Sequence, residues 1–315
     1  MGDRIKIDPA YRQRLVKLGL GTVQQVLAYP GERVLDCGPQ CDLYKVGDAS
    51  PLPALFIKRF NYPTWAMRLH FAGRCFFGRS RAKREFRCLR LMHRLGIQSS
   101  RAVSWGERRA FGFLAQSYLI VEGVPASDSL KDFALRYVHK AASPRGRVLK
   151  RAMMDQLADQ LRLMHGKNFC HGDLTWQNIL IRPTPREDFE FFLINALRGK
   201  RVWAWWKRPR LRGRDLAGVD AISGEFLSRA DKIRFIKHYL QVDRLSPQDR
   251  QWMQSIQRTR QQLYASEAAD RLDPATAARP AGAAAARPAA LPIALPRHAE
   301  SPVGGNGLNA PKSQA

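Results

Sequence analysis

The chain has 315 residues, 45% of them hydrophobic, which is enough to fold around a core and too apolar for a disordered protein. Its 53 Lys+Arg against 27 Asp+Glu leave a formal net charge of +26, which points to an anionic partner: nucleic acid, an anionic membrane surface or a phosphorylated glycolipid. The opening MGDRIKIDPAYRQRL has no apolar signal region, no stretch approaches the ~18 apolar residues of a bilayer span, and five cysteines without a CxxC pair (Cys37, Cys41, Cys75, Cys88, Cys170) read as cytosolic thiols rather than disulfides or a zinc site.

In chain order, residues 1–29 read as an extension before a domain at 30–268, divided into a small β-rich lobe at 30–124 and a helical lobe at 125–268. ERVLDCGP and CDLYKVGD form a hairpin pattern about Gly38-Pro39. ALFIKRF (54–60) is a short, dense strand carrying Lys58. Across 81–95, Ala82, Phe86, Leu89 and Met92 recur on one helical face and Gly96 supplies the stop; Glu85 borders the apolar stripe and points inward. FGFLAQSYLIVEG (111–123) reads as two further strands, and EGVPASDSL as the link to the second lobe.

In that lobe Met153, Leu157, Leu161 and Met164 mark a helix running into His165-Gly166, and FEFFLIN (189–195) is a strand. Helices follow near 214–225, 228–242 and 247–267, the last two started by Ser228 with Asp231 and by Ser246-Pro247. Residues 269–315, with runs such as AARPAGAAAARPAALPIALP, read as a disordered tail, because proline at this density breaks an alanine helix. Strands first and helices after give a two-lobed α+β class.

HGDLTWQNILI (171–181) packs His171, Asp173 and Asn178 ahead of a β-branched run. An aspartate beside a hydroxyl can orient it and take its proton, and an amide oxygen five residues on can face the same cavity. A lysine on a rigid strand can hold phosphates, and a buried glutamate can hold that lysine. Asp173, Asn178, Lys58 and Glu85 suit these tasks. The residues alone leave plainer readings open: Asp173 as a turn cap, Lys58 as a snorkelling surface lysine, Glu85 paired with Arg81 or Arg87.

His-x-Asp-Leu-x-x-x-Asn-Ile-Leu resembles the catalytic loop of protein-kinase-like enzymes. Gly172 stands where regulated protein kinases carry arginine, a variant similar to that of small-molecule and sugar kinases. KREFRCLRLMHRLGI, HGDLTWQNILI and RGRDLAGVD together resemble the lipopolysaccharide kinase (Kdo/WaaP) family, over roughly residues 30 to 240. The resemblance implies a two-lobed protein-kinase-like fold and transfer of the γ-phosphoryl of ATP to a sugar hydroxyl, heptose or Kdo, of the lipopolysaccharide core. It implies a peripheral place on the cytoplasmic face of the inner membrane. It makes Asp173 the catalytic base, assigns Lys58, Glu85 and Glu122 to the nucleotide and Asn178 and Asn195 to Mg2+, and leaves His171 and Asp215 as structural support. With no arginine at 172, switching by a phosphorylated segment is not expected.

Two departures stand out. In FFLINALRG, Asn195 occupies the position of the metal-binding aspartate of Asp-Phe-Gly; an amide oxygen brings no negative charge, so magnesium affinity should fall. Glu187, Asp188 and Glu190 lie at the other end of that strand and do not substitute. The phosphate-covering loop, expected at CGPQC, has one glycine in place of a G-x-G-x-x-G series. These departures open a second reading, a pseudokinase that binds or scaffolds in the same pathway.

After Asn195 comes ALRGKRVWAWWKRPRLRGR, with Trp203, Trp205 and Trp206 among eight Lys/Arg residues between 198 and 214, including Arg201, Lys207 and Arg208. Tryptophan favours the membrane–water interface and arginine and lysine favour anionic head groups, so this segment fits an acceptor or membrane surface. YPTWAMRLHFAGRCFFGRSRAKR (62–84) has a similar mixture. The alternative leaves the tryptophans packed into the helical lobe. No RNA-binding motif accompanies them, which disfavours nucleic acid.

Overall fold

Six antiparallel strands make the sheet of the first lobe: β1 (Gly2–Ile7), β2 (Arg33–Asp36), β3 (Cys41–Val46), β4 (Leu55–Asn61), β5 (Ala102–Ala110) and β6 (Phe113–Glu122), in the order β1-β5-β6-β4-β3-β2. The computed structural model of the chain describes residues 2–36, 41–47, 52–62, 80–138, 144–185, 188–224 and 226–272. The Gly38-Pro39 turn, the bulk of CGPQC, most of the 62–84 patch, Cys37, Cys75, Glu187 and residues 273–315 lie outside the described residues.

β4 shows why the lobe holds together. Its alternate side chains go to opposite faces of the sheet. Leu55 and Ile57 pack with Tyr11, Leu15 and Val26, while Phe60 joins the larger core with Phe86 and Leu89. The first face is covered by α1 (Arg12–Lys17) and α2 (Val23–Ala28), the latter opened by a reciprocal Thr22–Gln25 capping box. The segment read from sequence as an extension is thus built into the lobe, and β1 pairs with β5 from Gly2↔Arg109 to Ile7↔Ser104. FGFLAQSYLIVEG is one strand, not two: β6 lies between β5 and β4, and its apolar run is continuous because Tyr118 and Ile120 enter one core while Leu119 and Val121 enter the other. Its hairpin partner is Ala102–Ala110, across a turn at Phe111 and Gly112 with φ of 52° and 80°.

The other face carries α3 (Arg81–Arg94), capped by Ser80 and closed at Gly96 with φ 69°. Ala82, Phe86, Leu89 and Met92 are buried as their spacing requires.

The second lobe begins with β7 (Asp128–Ser129), α4 (Leu130–Phe133) and the long α5 (Pro144–Gly166), whose Met153, Leu157, Leu161 and Met164 are fully buried. β8 (Phe169–Cys170), β9 (Ile179–Pro183), β10 (Phe189–Leu193) and β11 (Lys200–Arg201) follow, forming a β10-β9-β7 sheet and a β11-β8 pair. Then come α6 (Arg208–Ser223), α7 (Arg229–Leu240) and α8 (Pro247–Leu272). α6 starts six residues before the expected 214, so Asp215 lies inside a helix and does not open one. α8 runs past 268 into the start of the expected tail.

Two contacts tie the lobes behind the cleft. Ser99 bridges Leu193 in parallel fashion, the Leu193 N–H donating to the Gln98 carbonyl at 3.0 Å, and the Cys88 thiol of α3 donates to the Gly199 carbonyl at 2.8 Å. No helix among the described residues is long and apolar enough to cross a membrane.

Candidate active site

Lys58 is on the face of β4 that meets α3, and both it and Glu85 are buried. Its ammonium donates to Glu85 Oε1 at 2.5 Å, so Glu85 of α3 pairs with Lys58 of β4. A buried pair of this kind repays its desolvation only when the geometry is close and the remaining valences are met. A second N–H goes to Asn195, whose Oδ1 also accepts from the Lys58 ammonium.

The loop that follows α5 is held by Asp215. Its Oδ2 accepts from the His171 N–H at 2.8 Å and its Oδ1 from the Gly172 N–H at 2.7 Å. His165 Nε2 stands 3.2 Å from the same carboxylate, and His165 Nδ1 is 2.8 Å from the Tyr239 hydroxyl. His165, Cys170 and Asp215 each bring a ligand-type atom within 4.8 Å of the others, but the histidine nitrogens and the carboxylate are already engaged by these bonds. Burial first, then the Asp215 carboxylate, pushes the Cys170 thiol up to about 12, so it stays protonated. His171 is fully buried and its Nε2 lies 2.9 Å from the Ile194 carbonyl, which fixes that nitrogen as the N–H. This geometry gives His171 a positioning task and no path to an acceptor.

These bonds leave Asp173 at the mouth of the loop. It is half-buried, and among the described residues its carboxylate makes no hydrogen bond or ion pair. Its backbone carbonyl accepts from Asn178 Nδ2 at 2.8 Å. Asn178 Oδ1 in turn accepts from Asn195 Nδ2 at 2.7 Å. Asn195 adopts φ 60°, a left-handed conformation that asparagine tolerates better than most residues. Lys58, Asn195, Asn178 and Asp173 thus form one row of donors facing acceptors.

A magnesium ion fits this row poorly. It asks for oxygens, preferably anionic, and sheds water reluctantly. Asn178 Oδ1 is covered by an N–H, and Asn195 Oδ1 by an ammonium. The acidic residues along β10 do not help: Asp188 accepts from Gln156 and Glu190 pairs with Arg182.

Glu122 does not join this group. Its carboxylate lies beside the Tyr11 hydroxyl; burial first and this neighbour next push the Tyr11 phenol up to about 12. Sequence reasoning could not see that partner, which belongs to the segment set apart as an extension. Nor did it single out Arg198, which passes so close that a Cβ on Gly172 would meet the Arg198 Cβ and carbonyl oxygen at 3.0 Å. Arg198 is exposed beside the loop.

Trp203, Trp205 and Trp206 are 70%, 72% and 63% exposed, so they are not packed into the helical lobe. The Arg201 guanidinium stacks 4.1 Å from the Trp203 ring, and Trp205 meets Trp206 edge to face at 6.0 Å. Arg201 and Lys207 are exposed. Arg208 instead turns back on the chain, donating to the carbonyls of Val202 and Trp203 at 3.1 and 3.2 Å, and so fixes the aromatic turn.

Residues 69–239, more than half of the 315, match the model of the lipopolysaccharide kinase (Kdo/WaaP) family. The chain is 28% identical over 162 residues to the lipopolysaccharide core heptose(I) kinase WaaP of Pseudomonas aeruginosa, a match covering 50% of this chain and 59% of that protein's length. A solved structure of WaaP in complex with acyl carrier protein superposes with a TM-score of 0.59 at 22% identity, covering 83% of this chain and 99% of the other, which establishes a common two-lobed fold. The chain belongs to the lipopolysaccharide kinase (Kdo/WaaP) family.

Proposed function

We propose that this protein phosphorylates a sugar hydroxyl, heptose or Kdo, of the lipopolysaccharide core, using ATP. The observation that carries the reading is the uncommitted Asp173 carboxylate, set on a loop that Asp215 fixes and joined through Asn178 and Asn195 to the Lys58–Glu85 pair. Phosphoryl transfer needs positioning and charge more than covalent help. Lys58 would hold the polyphosphate of the nucleotide. Asp173 would orient the acceptor hydroxyl and take its proton as the oxygen attacks the γ-phosphorus of ATP and ADP leaves, and the segment carrying Arg201, Trp203, Trp205, Trp206 and Lys207 would meet the glycolipid acceptor at an anionic membrane surface. The peripheral position on the cytoplasmic face of the inner membrane follows from where such an acceptor and ATP are both within reach.

The test is transfer of labelled γ-phosphate from ATP to core oligosaccharide. Removing a general base lowers rates by about 10²–10⁴-fold, so Asp173→Ala should fall in that range with folding intact. Natural protein no faster than Asp173→Ala would sink the enzyme reading.

One observation favours a second reading. The hydrogen bond that closes Asn195 onto Asn178 suits a pseudokinase that binds or scaffolds without turnover. On that reading, labelled phosphate never moves, while core oligosaccharide still binds.

A further inference from the structure

We infer that the cleft takes its nucleotide without a divalent cation held by the chain, and that the Lys58 ammonium, held between Glu85 and Asn195, is the cation that meets the phosphates. This rests on the nucleotide-binding part of the proposed function.

The direction of each hydrogen bond is forced. An ammonium can only donate, so it draws Asn195 Oδ1 towards itself. That turns Asn195 Nδ2 to Asn178, whose Oδ1 accepts at 2.7 Å. Asn178 Nδ2 is then left to donate to the Asp173 carbonyl at 2.8 Å. Lys58, Asn195 and Asn178 are 7%, 8% and 1% exposed, so water is not a ready substitute for any link. A divalent ion entering between the amides would displace an N–H and lie close to an ammonium, and neither residue offers it a carboxylate.

One atom decides the outcome. An aspartate in place of Asn195 would set two oxygens face to face across the 2.7 Å contact with Asn178. A cation relieves that repulsion, which is what makes such a pair a chelate. The amide replaces the repulsion with a hydrogen bond. Any metal that arrives with the nucleotide is then held by the phosphates, not by these two side chains.

Binding of trinitrophenyl-ATP to the full chain, with magnesium and with EDTA, tests this. The two dissociation constants of the natural protein should agree within about twofold. Asn195→Asp should bind about tenfold or more tightly with magnesium than with EDTA. Loss of nucleotide by the natural protein in EDTA overturns the inference while leaving the nucleotide reading intact. An Asn195→Asp protein as indifferent to magnesium as the natural one removes the role given to Asn195. Absence of binding under both conditions takes down the nucleotide reading and the inference together. Should Asn195→Asp fail to fold, the comparison of magnesium with EDTA on the natural protein decides the inference by itself.

Discussion

Gly172 shows what a single position in the 171–181 loop must satisfy. Its φ of 77° lies in the left-handed region, and a Cβ there would meet the Arg198 carbonyl oxygen at 3.0 Å. Backbone cannot swing aside as a long side chain can. Gly172→Ala should therefore lose at least the ~1–2 kcal/mol of a left-handed L-residue, read as a lower urea midpoint with an unchanged slope. The arginine of regulated kinases would meet the same strain here, so glycine at 172 suits the backbone of this loop as well as leaving out a regulatory clamp. Asp215 works at the same scale. Its carboxylate holds two amides of the loop and one histidine, and an amide side chain has only one oxygen to offer them.

Among elements, β4 and α3 are coupled through one buried ion pair, Lys58–Glu85. Removing one partner strands a charge, so Lys58→Met should cost about 3–5 kcal/mol, whereas Lys58→Met with Glu85→Leu should recover most of that loss. Chemical denaturation of the two single variants and the pair closes the cycle; additive losses would show that the residues do not depend on each other. α3 was legible because its apolar spacing, its inward glutamate and its terminal glycine agree. The helix starts at Ser228 and Ser246 were legible for a similar reason: Ser228 and Asp231 satisfy each other locally, and Pro247 follows Ser246 at the first helical position. β1 was not, since GDRIKI is an exposed edge strand with almost no buried face to write an alternating pattern. The row from Lys58 to Asn178 was half legible. The residue types could be read, but the Lys58–Asn195 contact spans 137 residues, and the orientation of two amides follows only from what surrounds them.

At the scale of the whole molecule, a charge of +26 attracts any anionic surface, and aromatic side chains decide which contact persists. Three tryptophans stand exposed on the segment that follows Asn195, with Arg201 and Lys207 around them. Replacing Trp203, Trp205 and Trp206 with serine should abolish co-sedimentation with phosphatidylglycerol vesicles at ~0.15 M salt and leave weak binding at low salt, where screening is slight. Equal binding of both proteins at either salt would assign the attraction to charge alone. The ties behind the cleft carry a different consequence. With Cys88 of α3 bonded to Gly199 and Ser99 bridged to Leu193, the helix that brings Glu85 to Lys58 is anchored to the other lobe. A swung-out inactive posture of that helix would have to break these bonds first. The cleft is therefore assembled before any ligand arrives, and on the proposed function turnover would be paced by how often the acceptor is presented and how long the protein dwells beside it, not by a swing of this helix.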